Sequence, residues 1–310
     1  MRLVNSSQLP AGVRSEGIQA GLGSVSEARL REWVEKISIP RHSQAQPENN
    51  RATARWLSEQ FTAWGYEVQL QGAYNNVVAM PRGRSGDMIL VGAHYDSVPE
   101  TPGADDNGSA VAAMLGCAEV FSRIVPGTPV CFVAFNCEEE DLAGSIDFVR
   151  NHLPKAGSRI IQAHILEMVG FASYASGSQR VPTGLPLSIR DTGDFLGLLA
   201  NKASGGMMDS ILAQASTYLP EFRVVGLEVV LGAERLFPVL ARSDHVPFWE
   251  QGIPAVMWTD TSEFRNHNYH KATDTPETLD YGFLLMVTQL LVACVGSEGG
   301  LAADGTQIKH

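Results

Sequence analysis

Residues 88–97 read MILVGAHYDS, a short apolar run followed at once by polar residues. The apolar part predicts a β-strand that ends just before His94 and Asp96. A second run, Pro129–Asn136 (PVCFVAFN), is apolar without alternation, which is typical of a strand covered on both faces. Ile160–Met168 is predicted to be another buried strand, and Glu167 follows its apolar run Ile160–Leu166. The chain is therefore expected to contain a buried sheet whose strands end in polar residues.

Helical patterns alternate with strand patterns along the rest of the chain. Ser24 and Glu27 form a capping box, which predicts the start of a helix. One face of that helix carries the apolar residues Leu30, Trp33, Val34 and Ile37. Further helices are predicted over Pro47–Trp64, Asn107–Ile124, Ala143–His152, Thr192–Ala203, Met208–Ala215 and Leu279–Val295. Further strands are predicted over Tyr66–Leu70, Asn76–Met80, Phe222–Val230 and Ala255–Trp258.

This alternation predicts an α/β fold, a three-layer sandwich with a central mixed, largely parallel β-sheet flanked by helices. Residues 1–23 are rich in Gly and Ser and are expected to form a loosely ordered N-terminal arm. No linker divides the remainder, so 24–310 is expected to be a single domain. Ligands of such sheets bind beyond the carboxyl ends of the strands, where the polar residues of this chain lie.

The composition narrows the classes of partner and the compartment. The 310 residues carry a formal net charge of −11, which argues against nucleic acid or an anionic membrane as the main partner. Phe283–Val295 is too short to span a bilayer and predicts a buried helix. No apolar run follows Arg2, so no secretory signal is expected. The four scattered cysteines predict reduced core thiols and a cytoplasmic protein. The sequence does not indicate an oligomeric state.

Five polar clusters fall close to the ends of predicted strands. They are His94–Asp96, Asp105–Asp106 in GADDNGS, Glu138–Asp141, Glu167 and Asn266–His270. Histidine is a common zinc ligand, and Asp96 is a candidate to fix the orientation of the His94 ring from behind. A carboxylate at the start of a helix could bridge two metals. Of two adjacent glutamates, one could bind metal while its neighbour acts as a general base.

The last two clusters complete the set. A carboxylate that closes a buried strand, as Glu167 does, is costly unless it is paired or bound to metal. Of the two histidines in the final cluster, we interpret His267 as a loop residue. The clusters together supply His, Asp, Glu, a further acid and His, in that order. This inventory fits two zinc ions that share a bridging carboxylate.

The order of these motifs resembles metallopeptidase family 28, the group of aminopeptidase Y and the bacterial leucyl aminopeptidases. The resemblance extends over roughly residues 50–295. It rests on the motifs HYDS (94–97), PGADDNGS (102–109), NCEEEDLAGS (136–145), LEMVG (166–170), SDH (243–245) and YHKATDTPETLD (269–280).

The resemblance implies a set of metal ligands and a zinc-peptidase-like fold. The implied ligands of two zinc ions per chain are His94, Asp106, Glu139, Glu167 and His270. Asp106 rather than Asp105 is the implied bridge, because the family uses the second acid of the GADD motif. Glu167 departs from the Asp that is more familiar at its position, which could change the metal preference of that half of the site.

Catalytic roles also follow from the resemblance. Counting back from Gly144-Ser145 implies that Glu138 is the general base, and leaves Glu140 as an extra acid. Tyr269 is implied to stabilise the tetrahedral intermediate together with a zinc ion. Asp244 in SDH lies outside the implied metal ligands and is interpreted as structural.

The expected function is a zinc-dependent exopeptidase, an aminopeptidase that hydrolyses the N-terminal bond of peptides with a free N-terminus. One alternative within the same fold is a glutaminyl-cyclase-like acyltransferase with one zinc ion. A second is a non-catalytic binding domain, against which the complete ligand set argues. The loops Ala172–Pro186 and Ser262–Arg265 are expected to shape the substrate pocket.

Overall fold

The computed structural model describes residues 1–185, 188–229 and 237–301. Within these residues, the apolar runs of the sequence form one sheet. Its strands are β1 (Arg2–Asn5), β2 (Tyr66–Gln71), β3 (Asn76–Pro81), β4 (Gly86–His94), β5 (Val130–Phe135), β6 (Ser158–Glu167), β7 (Leu196–Asn201), β8 (Val224–Val229) and β9 (Ala255–Thr259). The α-helices are α1 (Glu16–Ser24), α2 (Glu27–Ile37), α3 (Pro47–Ala63), α4 (Ala110–Arg123), α5 (Ala143–Asp147), α6 (Gly205–Tyr218), α7 (Val246–Glu250) and α8 (Tyr281–Glu298).

The strand order is β1-β8-β7-β9-β6-β4-β5-β3-β2. The four central strands, β9, β6, β4 and β5, are mutually parallel, and antiparallel pairings occur only on either side of them. Four of the eight pairings between the described strands are parallel. The predicted three-layer α/β sandwich with a mixed sheet is confirmed, with its parallel part at the centre.

Helices cover both faces of the sheet, and β5 shows how. Phe132 packs into the core on the face that carries α2, α3, α4, α6 and α8, whereas its neighbour Val133 belongs to the core on the opposite face. On that opposite face, Phe135 makes edge-to-face contacts with Phe148 and Phe248. Burial on both faces explains why this strand is apolar without alternation.

Helix α8 lies within the larger core. By length and apolar composition alone α8 could cross a membrane, but 67% of it is buried inside the protein. The predicted buried helix near the C-terminus is therefore confirmed. All four cysteines are buried and free, as expected for core thiols. The cytoplasmic location stays a prediction.

The structure corrects the secondary structure predicted for Thr192–Ala203. This segment is not a helix, because it contains β7, which pairs with β8 and β9. Its apolar residues fit both a helical and a strand period, and a short apolar run does not separate the two. Leu198 packs into the larger core and Leu199 into a small cluster on the other face, which is the alternation of a strand.

The N-terminal segment also differs from the sequence-based expectation of a loose arm. Residues 2–5 add an edge strand, β1, to β8, and α1 packs on α8 with Ile18 and Leu22 buried. Burial of the apolar side chains of this short helix stabilises the segment. The Gly- and Ser-rich composition did not indicate this burial. The start of α2 differs as well, because the side chain that caps it is Ser26 and not Ser24. The predicted apolar face of α2 is buried.

Candidate metal centre

The sequence-predicted ligands come from neighbouring parallel strands. His94 is the last residue of β4 and Glu167 the last residue of β6, while Glu139 follows β5 after a short turn. Because β5, β4 and β6 are adjacent and parallel, their carboxyl ends meet at one edge of the sheet. Asp106 reaches this edge from the turn Ala104–Ser109 before α4, and His270 from the loop after β9.

The first half of the centre is built around His94, whose side chain is 1% exposed. Its Nε2 lies 3.4 Å from Oδ1 of Asp106 and 3.4 Å from Oε2 of Glu167. Ligands of one tetrahedral zinc, bound at about 2.0–2.2 Å, lie about 3.3–3.5 Å apart. The Oε2 atom of Glu138 lies farther from the same nitrogen, at 3.9 Å. The spacing therefore suits Asp106 and Glu167 as partners of His94 better than it suits Glu138.

The second half is built around His270. Its Nε2 lies 3.1 Å from Oδ2 of Asp106 and 3.4 Å from Oε2 of Glu139. Asp106 thus directs one carboxylate oxygen toward each histidine. Each half contains one histidine and one glutamate, and the buried Asp106 stands between the halves.

The chemistry of these donors fits a divalent metal. Both ring nitrogens of His94 and one carboxylate oxygen of Glu139 are buried without a hydrogen-bond partner among the described residues. Buried polar atoms are normally paired, so these atoms are the ones a bound ion would satisfy. Imidazole nitrogens and carboxylate oxygens are zinc ligands, and four carboxylates around two histidines leave negative charge for a cation to balance.

The pKa shifts reflect the same excess of carboxylates. Burial raises the pKa of Glu138 well above its ordinary value, and the charge of Glu167 adds to the shift. Burial, with the Asp106 carboxylate, raises the pKa of Glu139 to about 7. Burial opposes the charge of His270, but hydrogen bonding to Asp106 and Glu139 outweighs it and raises the pKa of that ring to about 10. Without metal, protons thus occupy groups that a cation would hold deprotonated.

Two buried aspartates hold the ligand-bearing loops by their backbones. The Asp96 carboxylate accepts hydrogen bonds from the N–H groups of Glu138 and Glu139, both at 3.2 Å. Asp274 accepts from the N–H groups of Asp105 and Asp106, at 2.9 and 3.0 Å. Asp96 was predicted only to orient His94, whose Nδ1 lies 3.4 Å from it. No role was predicted for Asp274, which lies four residues after His270, whereas Asp96 lies two residues after His94.

A buried arginine, which the sequence analysis missed, ties two of these loops together. The Arg41 guanidinium donates to the carbonyl of Tyr95 at 2.6 Å and to that of Gly103 at 2.9 Å, and also contacts the carbonyl of Pro102. Gly103 has φ +62°, and a Cβ there would lie 2.3 Å from the Asp106 carbonyl oxygen. A single arginine outside any motif gave no sequence signal for this contact.

Left-handed backbone conformations occur at three non-glycine residues of the centre. Cys137 (φ 58°) comes directly before Glu138, Met168 (φ 48°) directly after Glu167, and His270 itself has φ 56°. Such conformations cost about 1–3 kcal/mol each and cluster at functional sites. Two of these residues adjoin Glu138 and Glu167, and the third is His270 itself. The unusual backbone therefore occurs at three positions that orient predicted functional side chains.

Known proteins that are similar to this chain belong to one family. Residues 76–295 match the sequence profile described as Peptidase family M28. The chain is also 32% identical, over 251 residues and 76% of each protein, to the uncharacterized protein YfbL of Escherichia coli.

The chain belongs to peptidase family M28. This confirms the predicted family and, with it, the predicted class of enzyme, a metal-dependent peptidase.

Two solved structures place this M28 chain among related folds. BSAP, a zinc aminopeptidase from Bacillus subtilis, is 28% identical with a TM-score of 0.54, over 72% of this chain and 49% of that one. This chain thus spans about half the length of that aminopeptidase. Porphyromonas gingivalis glutaminyl cyclase is 20% identical with a TM-score of 0.66, over 88% and 99% of the two chains, which shows a shared fold.

Residues next to the predicted metal ligands make further contacts in this chain of family M28. The hydroxyl oxygen of Tyr269 accepts a hydrogen bond from Arg242 at 2.9 Å, and the Tyr269 ring stacks on His270 with the ring centroids 3.7 Å apart. Ser243 donates to Oε2 of Glu167 at 2.7 Å. In the sequence, Ser243 was visible only as part of the motif SDH. Its neighbour Asp244 is buried, and that burial raises its pKa to about 7.

Two candidates from the clusters lie outside both halves. His267 is exposed and contacts Phe171 edge to face, in line with its interpretation as a loop residue. Glu140 contacts Ser43 and accepts a hydrogen bond from Gln44 at 2.9 Å, so it holds a neighbouring loop.

A cavity of about 580 Å³ opens beside the metal centre. Its lining includes Asp106, Glu138, Glu167 and Tyr269 at one end. The two loops expected to shape the pocket contribute Gln179, Arg180, Pro182 and Leu185, and Ser262, Glu263 and Phe264. The last residue of the first predicted loop, Pro186, lies outside the described residues.

Proposed function

We propose that this chain is an aminopeptidase that hydrolyses the N-terminal bond of peptides with two zinc ions. The observation that carries the proposal is the position of Asp106, which directs one oxygen to His94 and the other to His270. Glu167 and Glu139 complete one half each. Zinc bound there would lower the pKa of water and polarise the scissile carbonyl.

The side chains around the ligands have distinct tasks in this proposal. Glu138 accepts the proton of the attacking water and later delivers it to the leaving amine. The excess of carboxylates attracts the free amine of the substrate, which restricts cleavage to the first residue.

Tyr269 is placed to donate a hydrogen bond. Arginine has donors only, so the Tyr269 oxygen accepts from Arg242 and its own proton stays free for the substrate oxygen. Replacing Tyr269 with Phe is expected to lower kcat about 10²-fold with little change in KM, as for the loss of one oxyanion donor. Tyr174→Phe is the matched control, because Tyr174 is exposed and donates to Asp280. An unchanged kcat in Tyr269→Phe would remove this residue from the mechanism.

The proposal is tested with a panel of aminoacyl-nitroanilides and a metal analysis. Hydrolysis is expected to stop after chelation and to return with added zinc, with two zinc ions per active chain. N-acetylated forms of the same substrates are expected to resist cleavage, because they lack the free amine. Activity that survives chelation would contradict the metal centre as the seat of the reaction.

The competing activity is that of a glutaminyl cyclase, favoured by the shared fold with the bacterial cyclase. A one-zinc acyltransferase would form pyroglutamate from an N-terminal glutamine and would hold one zinc ion. Asp106 directs one carboxylate oxygen to His94 and the other to His270, which favours two zinc ions and therefore a hydrolase. A pyroglutamate assay on the same metal-counted sample separates the two activities.

A further inference from the structure

The cavity beside the metal centre continues across the sheet, and its floor is made of paired residues. Glu167 at the end of β6 pairs with Thr259 on β9, Thr259 with Gly197 on β7, and Gly197 with Val225 on β8. Directly paired residues project from the same face of a sheet. All four line the cavity, so this row runs sideways from a metal ligand.

A second row runs alongside the first and is wholly apolar. Met257 on β9 pairs with Leu199 on β7, Leu199 with Leu227 on β8, and Leu227 with Leu3 on β1. These four also line the cavity. The next residue, Val4, packs against the larger core on the other face, so Leu3 faces the cavity. We call the eight residues of the two rows the trough.

The trough is longer than one ordinary side chain. From β6 to β1 it crosses four strand spacings, which is about 19 Å. A leucine side chain ends within about one such spacing of its own backbone. Gly197, in the middle of the first row, has no side chain to fill the space. The edge strand β1 contributes Leu3 at the far end, so the N-terminal segment takes part in the cavity.

The chemistry of the trough suits an apolar occupant. Leu185 and Leu240 form a small apolar cluster with Leu199 on this face of the sheet. Among the described lining residues, Arg180 and Arg242 are both held by Glu263, one by its carbonyl and one by its carboxylate. Apart from Glu167 and Thr259 next to the metal centre, the residues of the trough have no polar side chain. A charged group that lay on them would therefore lose water without gaining a partner there.

We propose that the trough holds the side chain of the substrate's first residue, and that the enzyme acts on first residues with an unbranched apolar side chain longer than that of leucine. The inference rests on the proposed aminopeptidase function, because it places the first residue beside Glu167. Thioether-alkylated residues belong to this chemical class.

The test is a series of nitroanilides whose first residue lengthens by methylene groups, from norvaline through norleucine and 2-aminooctanoate to 2-aminodecanoate. The value of kcat/KM is expected to rise up to about fourfold per methylene, the factor for burying one methylene group. The rise is expected to continue past norleucine. A maximum at norleucine followed by a fall would overturn the proposal.

Variants that fill part of the trough test whether it is the place where the substrate's side chain binds. Gly197→Leu fills the middle of the first row and is expected to move the best substrate back to norleucine. Val225→Phe narrows the row one strand farther on and is expected to stop the rise at a longer chain. Gly206→Leu is the matched control, because Gly206 is exposed and a Cβ there meets nothing within 4 Å. If Gly197→Leu and Val225→Phe, folded by their melting curves, slow every substrate by one factor, the trough does not hold the side chain.

Binding of the free amino acids is measured in parallel by calorimetry. This keeps two failures apart. If the zinc-loaded protein hydrolyses no member of the series, the proposed function fails. If affinity does not grow from norvaline to 2-aminodecanoate, the trough proposal fails, whether or not hydrolysis occurs.

Discussion

Glu138→Gln is expected to lower kcat by about 10³-fold while the zinc content of the protein stays the same. The glutamine keeps the size of the side chain but cannot accept the proton of water. Glu138 lies 3.9 Å from Nε2 of His94, farther than the 3.4 Å of the carboxylates that we assign to the metal. Its loss should therefore remove a proton acceptor and not a ligand.

Two neighbours on the same turn provide the comparison. Glu139→Gln is expected to lose zinc as well as activity, because Oε2 of Glu139 lies 3.4 Å from Nε2 of His270. Glu140→Gln should keep both, because Glu140 contacts the loop that contains Ser43 and Gln44. Zinc loss in Glu138→Gln would make Glu138 a ligand of the His94 half and would leave the mechanism without its general base.

The apolar runs predicted the strands well where burial on both faces makes them continuous. β4, β5 and β6 are examples, and the predicted α/β fold placed the polar residues that follow them at the carboxyl ends of the strands. The prediction failed where local pattern was ambiguous. The apolar residues of Thr192–Ala203 fit either period, and only pairing with β8 and β9, far along the chain, makes the segment a strand.

In the candidate site, too, the residues in local motifs could be predicted and those that act through distant contacts could not. Its acids and histidines were visible in sequence because they follow strands and fall into motifs. The groups that hold the loops and the ligands were not, because they act on atoms of residues that are distant in sequence. Arg41 binds carbonyls more than fifty positions away, and Asp274 binds N–H groups 168 and 169 positions away. Ser243 reaches Glu167 across 76 positions. Such contacts depend on the fold and leave no local pattern.

Replacing Asp106 with Ala is expected to have the broadest effect on the centre. Asp106 directs an oxygen to each histidine, so its removal weakens both halves at once. Zinc content should fall from two ions to below one, and activity should fall to that of the chelated protein. Metal analysis after dialysis against a fixed free zinc concentration, together with the nitroanilide assay, measures both quantities.

The variant Asp274→Asn tests how the Asp106 backbone is positioned while the Asp106 carboxylate stays in place. An asparagine offers one acceptor oxygen where Asp274 offers two, so one of the hydrogen bonds from the Asp105 and Asp106 N–H groups is lost. Zinc affinity is expected to fall about 10–100-fold, the usual cost of losing a group that orients a ligand, and excess zinc should restore activity. Asp280→Asn is the control, because the Asp280 side chain caps α8 and its described hydrogen bonds, from the Phe283 N–H and the Tyr174 hydroxyl, involve no ligand loop. If Asp106→Ala keeps one tightly bound zinc ion, the two halves bind metal independently, and Asp106 belongs to one of them and does not bridge the pair.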